Sequence, residues 1–296
     1  MSNESQGTWT VLKLLEWTKK YFAEADVDEP RLCAEVLLAH VLECQRIELY
    51  TRFDYTPAPE QLAAYRQLVK RASDHEPTAY LVGSREFYSL KFKVTPDVLI
   101  PRPETEQLVA EAEAYLKGLN RPGLMWDICT GSGCVAIATA VQVDDLHVLA
   151  TDICPQAVAL ARTNAEAHNV TSRLRCGVAD LAGIPDDCGD FRGRKFDVIT
   201  ANPPYVADGD TVGASVEHEP RAALYAGANG LDCIRNLLPQ IPPLLQDGGV
   251  FVMEFGVGQQ DPIGALIAEI DQFAEPRILK DHQGIERTVI AAREGA

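Results

Sequence analysis

Basic side chains are scarce in this chain. Only 27 Lys and Arg stand against 43 Asp and Glu, a formal net charge of −16. Gripping bare nucleic acid through a broad surface requires clustered Lys and Arg to neutralise phosphates, so the composition argues against that class. It leaves room for a small basic site or for a protein partner that is itself basic. No CxxC pair occurs among the eight cysteines (Cys33, Cys44, Cys129, Cys134, Cys154, Cys176, Cys188 and Cys233), and no HExxH among the six histidines. Both absences argue against zinc. Free, mostly buried thiols in a reducing cytoplasm are expected. No run of 18 apolar residues is present, so no segment is expected to span a membrane. The opening MSNESQGTWTVLK lacks the basic-then-apolar pattern of a leader, and a cytoplasmic protein is expected.

What is present is an ordinary globular composition, 46% hydrophobic and 24% charged over 296 residues, long enough for one large domain or two unequal ones. No repeat or low-complexity tract appears. Apolar residues at helical spacing in TVLKLLEWTKKYFAEA, EPRLCAEVLLAHVLEC and APEQLAAYRQLVKRASDH predict three helices, hence a small helical bundle over 1–84. EFYSLKFKVTPDVLIP alternates apolar residues with β-formers and predicts a β-hairpin linker over 85–102, with Pro96-Asp97 as its turn. From 103 to 296 strands alternate with helices. Strands are predicted at Leu124–Ile128, His147–Thr151, Leu174–Val178, Phe196–Thr200, Val250–Glu254, Arg277–Lys280 and Arg287–Ala291; helices at 104–118, 133–142, 155–168, 231–246 and 260–270. The fold class is α/β: a Rossmann-like, doubly wound seven-stranded sheet. The last two strands have no room for a helix between them, so they form a hairpin that adds one antiparallel strand.

Open parallel sheets bind ligands beyond the carboxyl ends of their strands, which makes the residues after each strand informative. After the first comes Cys129-Thr130-Gly131-Ser132-Gly133, whose glycines allow a tight turn and close approach of a ligand to backbone. After the second comes Asp152, 21 residues past Gly131, where a carboxylate can accept both hydroxyls of a ribose; its alternative role is to cap the helix that starts near Pro155. After the third come Asp180, able to accept from an adenine amino group, and Leu181, able to pack on the ring. These features suggest an adenosine-containing ligand without saying which one, since NAD fits a similar loop.

The fourth strand narrows the choice. FDVITA runs directly into Asn202-Pro203-Pro204-Tyr205. The prolines fix φ and carry no N–H, and a proline holds the residue before it extended. The carbonyls of Asn202 and Pro203, the side-chain carbonyl of Asn202 and the face of Tyr205 then form a rigid set of acceptors suited to a planar –NH2 group. Such a nitrogen is a poor nucleophile. Holding it in line with an electrophilic methyl, through bonds that strengthen as positive charge develops, lowers the barrier.

TGSG, Asp152, Asp180 and NPPY together resemble the class I S-adenosyl-L-methionine-dependent methyltransferases that act on –NH2 nitrogens. The segment HEPTAYLVGSREFYSLKFKVTPDVLIPRPETEQLV, the helical N-terminal region, HEPRAALYAGANGLD and DHQGIERTVIAA extend the likeness over nearly the whole chain, to the bacterial release-factor glutamine methyltransferases of the HemK/PrmC family. That resemblance implies methylation of the side-chain amide N5 of the glutamine in the GGQ motif of class I release factors, with S-adenosyl-L-homocysteine as product. It implies that Cys129, Thr130, Gly131, Ser132 and Gly133 wrap the methionine part of the cofactor, that Asp152 binds its ribose, and that Asp180 and Leu181 line the adenine pocket. Asn202, also counted on the cofactor side, would hold the substrate glutamine with Pro203, Pro204 and Tyr205. Arg102 and Glu104 would brace the site, and the helical domain would recognise the release factor. A monomer without direct nucleic-acid or membrane partners is expected. One departure is Cys129 where the family often has glycine; DICTGSGC is closer to the sister enzyme that methylates a glutamine of ribosomal protein L3. A nucleic-acid amino-methyltransferase would share NPPY but would need a basic cleft and a target-recognition domain. A non-catalytic cofactor-binding protein and an NAD-dependent dehydrogenase have no use for NPPY.

Overall fold

The computed structural model describes residues 8–295; residues 1–7 and 296, including the start of the stretch read as lacking a leader, lie outside the described residues. The chain divides into two compact units: residues 1–83 with 213–218, and residues 84–212 with 219–296. Among the described residues no helix is long and apolar enough to cross a membrane.

The first unit is helical: α1 Val11–Glu24, α2 Pro30–Val41, α3 Arg46–Leu49, α4 Pro59–Ser73 and α5 Thr78–Val82. On α1, Val11, Leu14, Thr18 and Phe22 are buried, a stripe at three- and four-residue spacing. They pack with Leu37, Leu38, Tyr65 and Val69 in a core of their own. The Tyr65 hydroxyl is satisfied within it, donating to Thr18 Oγ1 at 3.0 Å. The three predicted helices are α1, α2 and α4; α3 and α5 are too short to show a periodicity.

The second unit opens with a hairpin, β1 Ser84–Phe87 and β2 Leu90–Lys93. Its turn is Tyr88-Ser89, both at positive φ (48° and 61°), and not Pro96-Asp97. A two-residue turn of that kind usually carries Asn-Gly, so Tyr-Ser gives no signal. Pro96-Asp97 forms a separate turn, closed by the Val98 N–H to Thr95 O. The hairpin is anchored to the main core by Phe87 and Phe92, whose rings meet edge to face with centroids 6.0 Å apart. Burying each phenyl contributes about 2–3 kcal/mol.

The seven strands that follow are β3 Gly123–Ile128, β4 Leu146–Asp152, β5 Leu174–Val178, β6 Phe196–Ala201, β7 Leu245–Glu254, β8 Arg277–Lys280 and β9 Glu286–Ala292, in the order β5-β4-β3-β6-β7-β9-β8. β9 runs antiparallel to β7 and to β8, as the missing connecting helix requires. α6 Glu106–Lys117, α7 Cys134–Gln142 and α8 Pro155–Ala167 pack one face of the sheet; α9 Asp232–Leu237 and α10 Gln260–Ala268 pack the other. β3 and β6 are buried at every position, as expected of central parallel strands covered on both faces. The helix predicted over 231–246 stops at Leu237. Short 3-10 turns at Leu238–Gln240 and Pro242–Leu244 follow, and β7 starts at Leu245 instead of Val250. Pro239, Pro242 and Pro243 cannot donate the bonds that would prolong the helix. All eight cysteines are thiols outside any disulfide; three are buried and five only partly so, fewer buried than expected.

Candidate active site

The strand order reverses between β3 and β6, and both candidate loops leave the sheet there. Buried Asp127, next to last on β3, ties them together. It accepts from Thr130 Oγ1 at 2.5 Å and from Thr200 Oγ1 on β6 at 2.7 Å. The Ala136 N–H at the start of α7 also donates to it. Burial dominates these bonds and pushes the Asp127 carboxyl up to about 6.

The glycine loop is held from three sides. Thr130 N–H donates to Thr151 O, Gly131 N–H to Asp152 Oδ2 at 2.9 Å, and buried Asn164 on α8 donates from Nδ2 to Ser132 O at 2.8 Å. Asn164 also exchanges bonds with the N–H and C=O of Lys93, so the hairpin steadies the loop. Cys129 sits at φ 57°, a left-handed conformation that costs a residue with a Cβ about 1–2 kcal/mol. That is why glycine suits the position. The neighbouring Cys233 thiol, with burial, pushes the Cys129 thiol well up. Gly131 (φ 54°) faces open space: a Cβ there would meet nothing within 4 Å, so the loop's outer side is free for a ligand.

Asp152 does not cap α8, whose N-cap is Cys154 with no side-chain cap bond. Its Oδ1 accepts from the Cys154 N–H at 2.9 Å and its Oδ2 from Gly131. Each oxygen keeps acceptor capacity for a ribose hydroxyl. Burial raises its carboxyl, against backbone bonds from Cys154, Gly131 and Ile153. Beside it, Ile153 and Val178 are 60% and 45% exposed, an apolar ledge that a flat ring could cover. The Ala179 N–H donates to Asp152 O, which brings exposed Asp180 and half-buried Leu181 (φ 46°) next to the acid. Gly131, Asp152 and this ledge fit an adenosine-bearing methyl donor. Ile153 gives no signal in the sequence, because one apolar residue after an acid makes no pattern.

On the other side, β6 ends at Ala201 in register with Ile128, so NPPY emerges beside the glycine loop. No turn or loop N–H among the described residues donates to the carbonyls of Asn202 or Pro203. Asn202 Nδ2 donates to Thr105 Oγ1 at 3.2 Å. The Tyr205 hydroxyl donates to Glu254 Oε1 at 3.1 Å, and Tyr205 O accepts from Gln259 Nε2 at 3.0 Å. Burial, with the Glu254 charge beside it, raises the Tyr205 phenol and keeps it protonated. Residues 219–232 fold back on this turn: Val206 N–H donates to Leu224 O and Ala226 N–H to Val206 O. At Gly230 (φ 70°) a Cβ would lie 2.1 Å from Tyr205 O, so only glycine fits there.

Neither Arg102 nor Glu104 hydrogen-bonds to the Asn202–Tyr205 turn. Arg102 pairs with buried Glu219, which also accepts from the Ile100 N–H at 2.9 Å. Glu104 acts on the buried Glu254 only through its charge. The member of PRPETE that bonds to NPPY is Thr105, and its partner Glu254 is the last residue of β7. Neither stood out in the sequence, because each lies far along the chain from the motif it serves. Two cavities away from this site, of about 390 and 370 Å³, lie against Glu35 in the helical unit and Asp197 on β6. In both, arginine already neutralises the buried acid.

Residues 107–225 match the family described as the methyltransferase small domain, and together with the full-length relatives below this gives the class: this chain is a methyltransferase. Residues 13–83 match the PrmC N-terminal domain. The release factor glutamine methyltransferase of Rhodopirellula baltica is 41% identical over 295 residues, covering 97% of this chain and 98% of that one. Its counterpart in Geobacter sulfurreducens is 39% identical over 289 residues, with the same coverage. The chain belongs to the release factor glutamine methyltransferase family. A solved methyltransferase from Pyrococcus furiosus, 18% identical with a TM-score of 0.50, covers 71% of this chain and 91% of that one and shares the fold alone.

Proposed function

We propose that this methyltransferase transfers a methyl group from S-adenosyl-L-methionine to the side-chain amide N5 of the glutamine in the GGQ motif of class I release factors. The observation that carries the reading is the rigid acceptor turn Asn202–Tyr205 beside the glycine loop, in a chain similar over nearly its full length to enzymes of that name. When bound, the cofactor supplies an electrophilic methyl on a sulfonium. Gly131, Gly133 and the rest of the loop from Cys129 cradle its methionine end, Asp152 takes its ribose hydroxyls, and Ile153, Asp180 and Leu181 border its base.

The substrate carboxamide donates its two N–H bonds to Asn202 Oδ1 and Pro203 O, with Tyr205 against its plane. Those bonds fix the nitrogen in line with the methyl and strengthen as positive charge develops on it. The methylated nitrogen is acidic and releases its proton without a dedicated base. The release factor is the protein partner, and the helical N-terminal domain, residues 1–84, is its recognition domain. The chain works in the cytoplasm, as a monomer.

The test is transfer from methyl-labelled cofactor to release factor, ribosomal protein L3 and DNA in separate reactions. Label is expected on the release-factor glutamine. Label on protein L3 or DNA alone would overturn the assignment.

A further inference from the structure

The side chain of Asn202 has two ends, and only one of them suits the reaction. Its carbonyl must face the substrate, because an –NH2 turned that way would meet the substrate's N–H groups donor to donor. Nothing in NPPY itself makes the choice. The terminal torsion of asparagine is broad and roughly two-fold, and the prolines constrain only the backbone.

We propose that Thr105 and Glu254 are positioning residues that set the polarity of the Asn202 carboxamide, making it an acceptor toward the substrate. The inference rests on the substrate class given above. Thr105 Oγ1 lies 3.2 Å from Asn202 Nδ2 and 2.6 Å from Glu254 Oε2. A hydroxyl has one proton. When ionised, the Glu254 carboxylate can only accept, and its other oxygen already accepts from the Tyr205 hydroxyl at 3.1 Å. The threonine proton therefore goes to Glu254, and the threonine oxygen turned to Asn202 can only accept. The asparagine –NH2 must take that place, which leaves Oδ1 pointing away as the free acceptor.

Burial makes the relay strict. Thr105 is 3% and Glu254 2% exposed, so water cannot stand in for either partner. Three segments meet here: the turn before α6, the end of β6 and the end of β7. NPPY is thus half of a device whose other half is distant in sequence. Glu254 also anchors Tyr205, so one carboxylate sets both side chains that flank the two prolines.

Thr105→Val keeps the side-chain shape and removes the hydroxyl. The expected result is a fall in kcat of about 100-fold, with the cofactor KM unchanged. Selectivity for a release factor carrying glutamine over one carrying glutamate as competitive inhibitor should narrow at least about tenfold, because a freed asparagine can turn its –NH2 toward a carboxylate. Thr105→Ser restores the hydroxyl and should recover most of the lost rate. A second readout needs neither substrate nor cofactor. In 15N-labelled protein the Asn202 side-chain –NH2 should exchange slowly with solvent, and Thr105→Val or Glu254→Gln should release it. Wild-type-like selectivity in Thr105→Val, no rescue by serine, or unchanged Asn202 exchange in both variants would each overturn the relay. Failure of the wild type to label release factor would instead sink the substrate assignment, and the exchange experiment would still judge the relay.

Discussion

Two buried carboxylates flank β6, and each takes hydrogen bonds from two side-chain hydroxyls. Asp127 on β3 accepts from Thr130 and Thr200 and steadies the glycine loop. Glu254 on β7 accepts from Thr105 and Tyr205 and steadies the acceptor turn. The sides differ in how the backbone is held. On the Asp127 side the chain carries strain: Cys129 and Leu181 both sit at positive φ without being glycine. On the Glu254 side no residue of Asn202–Tyr205 does so; prolines fix that turn at no such cost. The cofactor side is thus a bent backbone clamped in place. The substrate side is a stiff backbone whose side chains need orienting. The lesson is that similar buried acids serve different ends, one holding main chain and the other setting the direction of a side-chain dipole.

The largest effects should separate the two sides. Asn202→Ala is expected to lower methyl transfer by about 10²- to 10³-fold while leaving cofactor affinity nearly intact by calorimetry. Asp152→Ala should instead weaken cofactor binding by about 10- to 100-fold, the loss of hydrogen bonds to a charged group. If each variant lost turnover and affinity alike, the division between cofactor side and substrate side would collapse.

A smaller effect concerns pH. The Asp127 carboxyl is raised to about 6 in the fold from an ordinary 3.8. Between those values the folded chain keeps a proton that the unfolded chain has lost. The stabilising contribution is therefore complete below about pH 4 and disappears as pH rises through about 6. Its size is about 3 kcal/mol, from 1.36 kcal/mol per pKa unit. Denaturant unfolding of wild type and Asp127→Asn should show the wild type losing that much relative to the variant between pH 4 and 7. A pH-independent difference would mean that burial does not shift this acid. Burial raises the Glu254 carboxyl too, so its contribution falls with rising pH in the same sense.

The smallest effect tests the strained backbone. Cys129→Gly should be about 1 kcal/mol more stable than Cys129→Ala, since only glycine relieves the left-handed φ. The opposite order of denaturation midpoints would show that the loop relaxes around any small side chain, and the contrast with the proline turn would lose its basis.

Strand positions in the sheet are legible because the buried parallel strands are short, mostly apolar runs, and NPPY is legible because four adjacent residues build it. Pro96-Asp97 carries the stronger turn signal, yet the hairpin turns at Tyr88-Ser89, which reaches positive φ without glycine or asparagine. The apolar content of 231–246 suggests one helix, but Pro239, Pro242 and Pro243 lack the donors to continue it past Leu237. Arg102 and Glu104 drew notice as charges, whereas the bond to Asn202 comes from the neutral Thr105 between Glu104 and Glu106.

By itself the sequence determined which backbone segments reach the carboxyl ends of the strands: the glycine loop, Asp152, Asp180 with Leu181, and the Asn-Pro-Pro-Tyr turn. These are local features, fixed by glycine freedom, proline rigidity and strand periodicity. Only the tertiary structure decided what Asp152 bonds to, why Cys129 stands where glycine is favoured, and which way the Asn202 amide points. Those outcomes depend on hydrogen bonds between groups brought together from distant parts of the chain, such as Thr105 and Glu254, 149 residues apart. No local pattern encodes a partner that folding alone supplies.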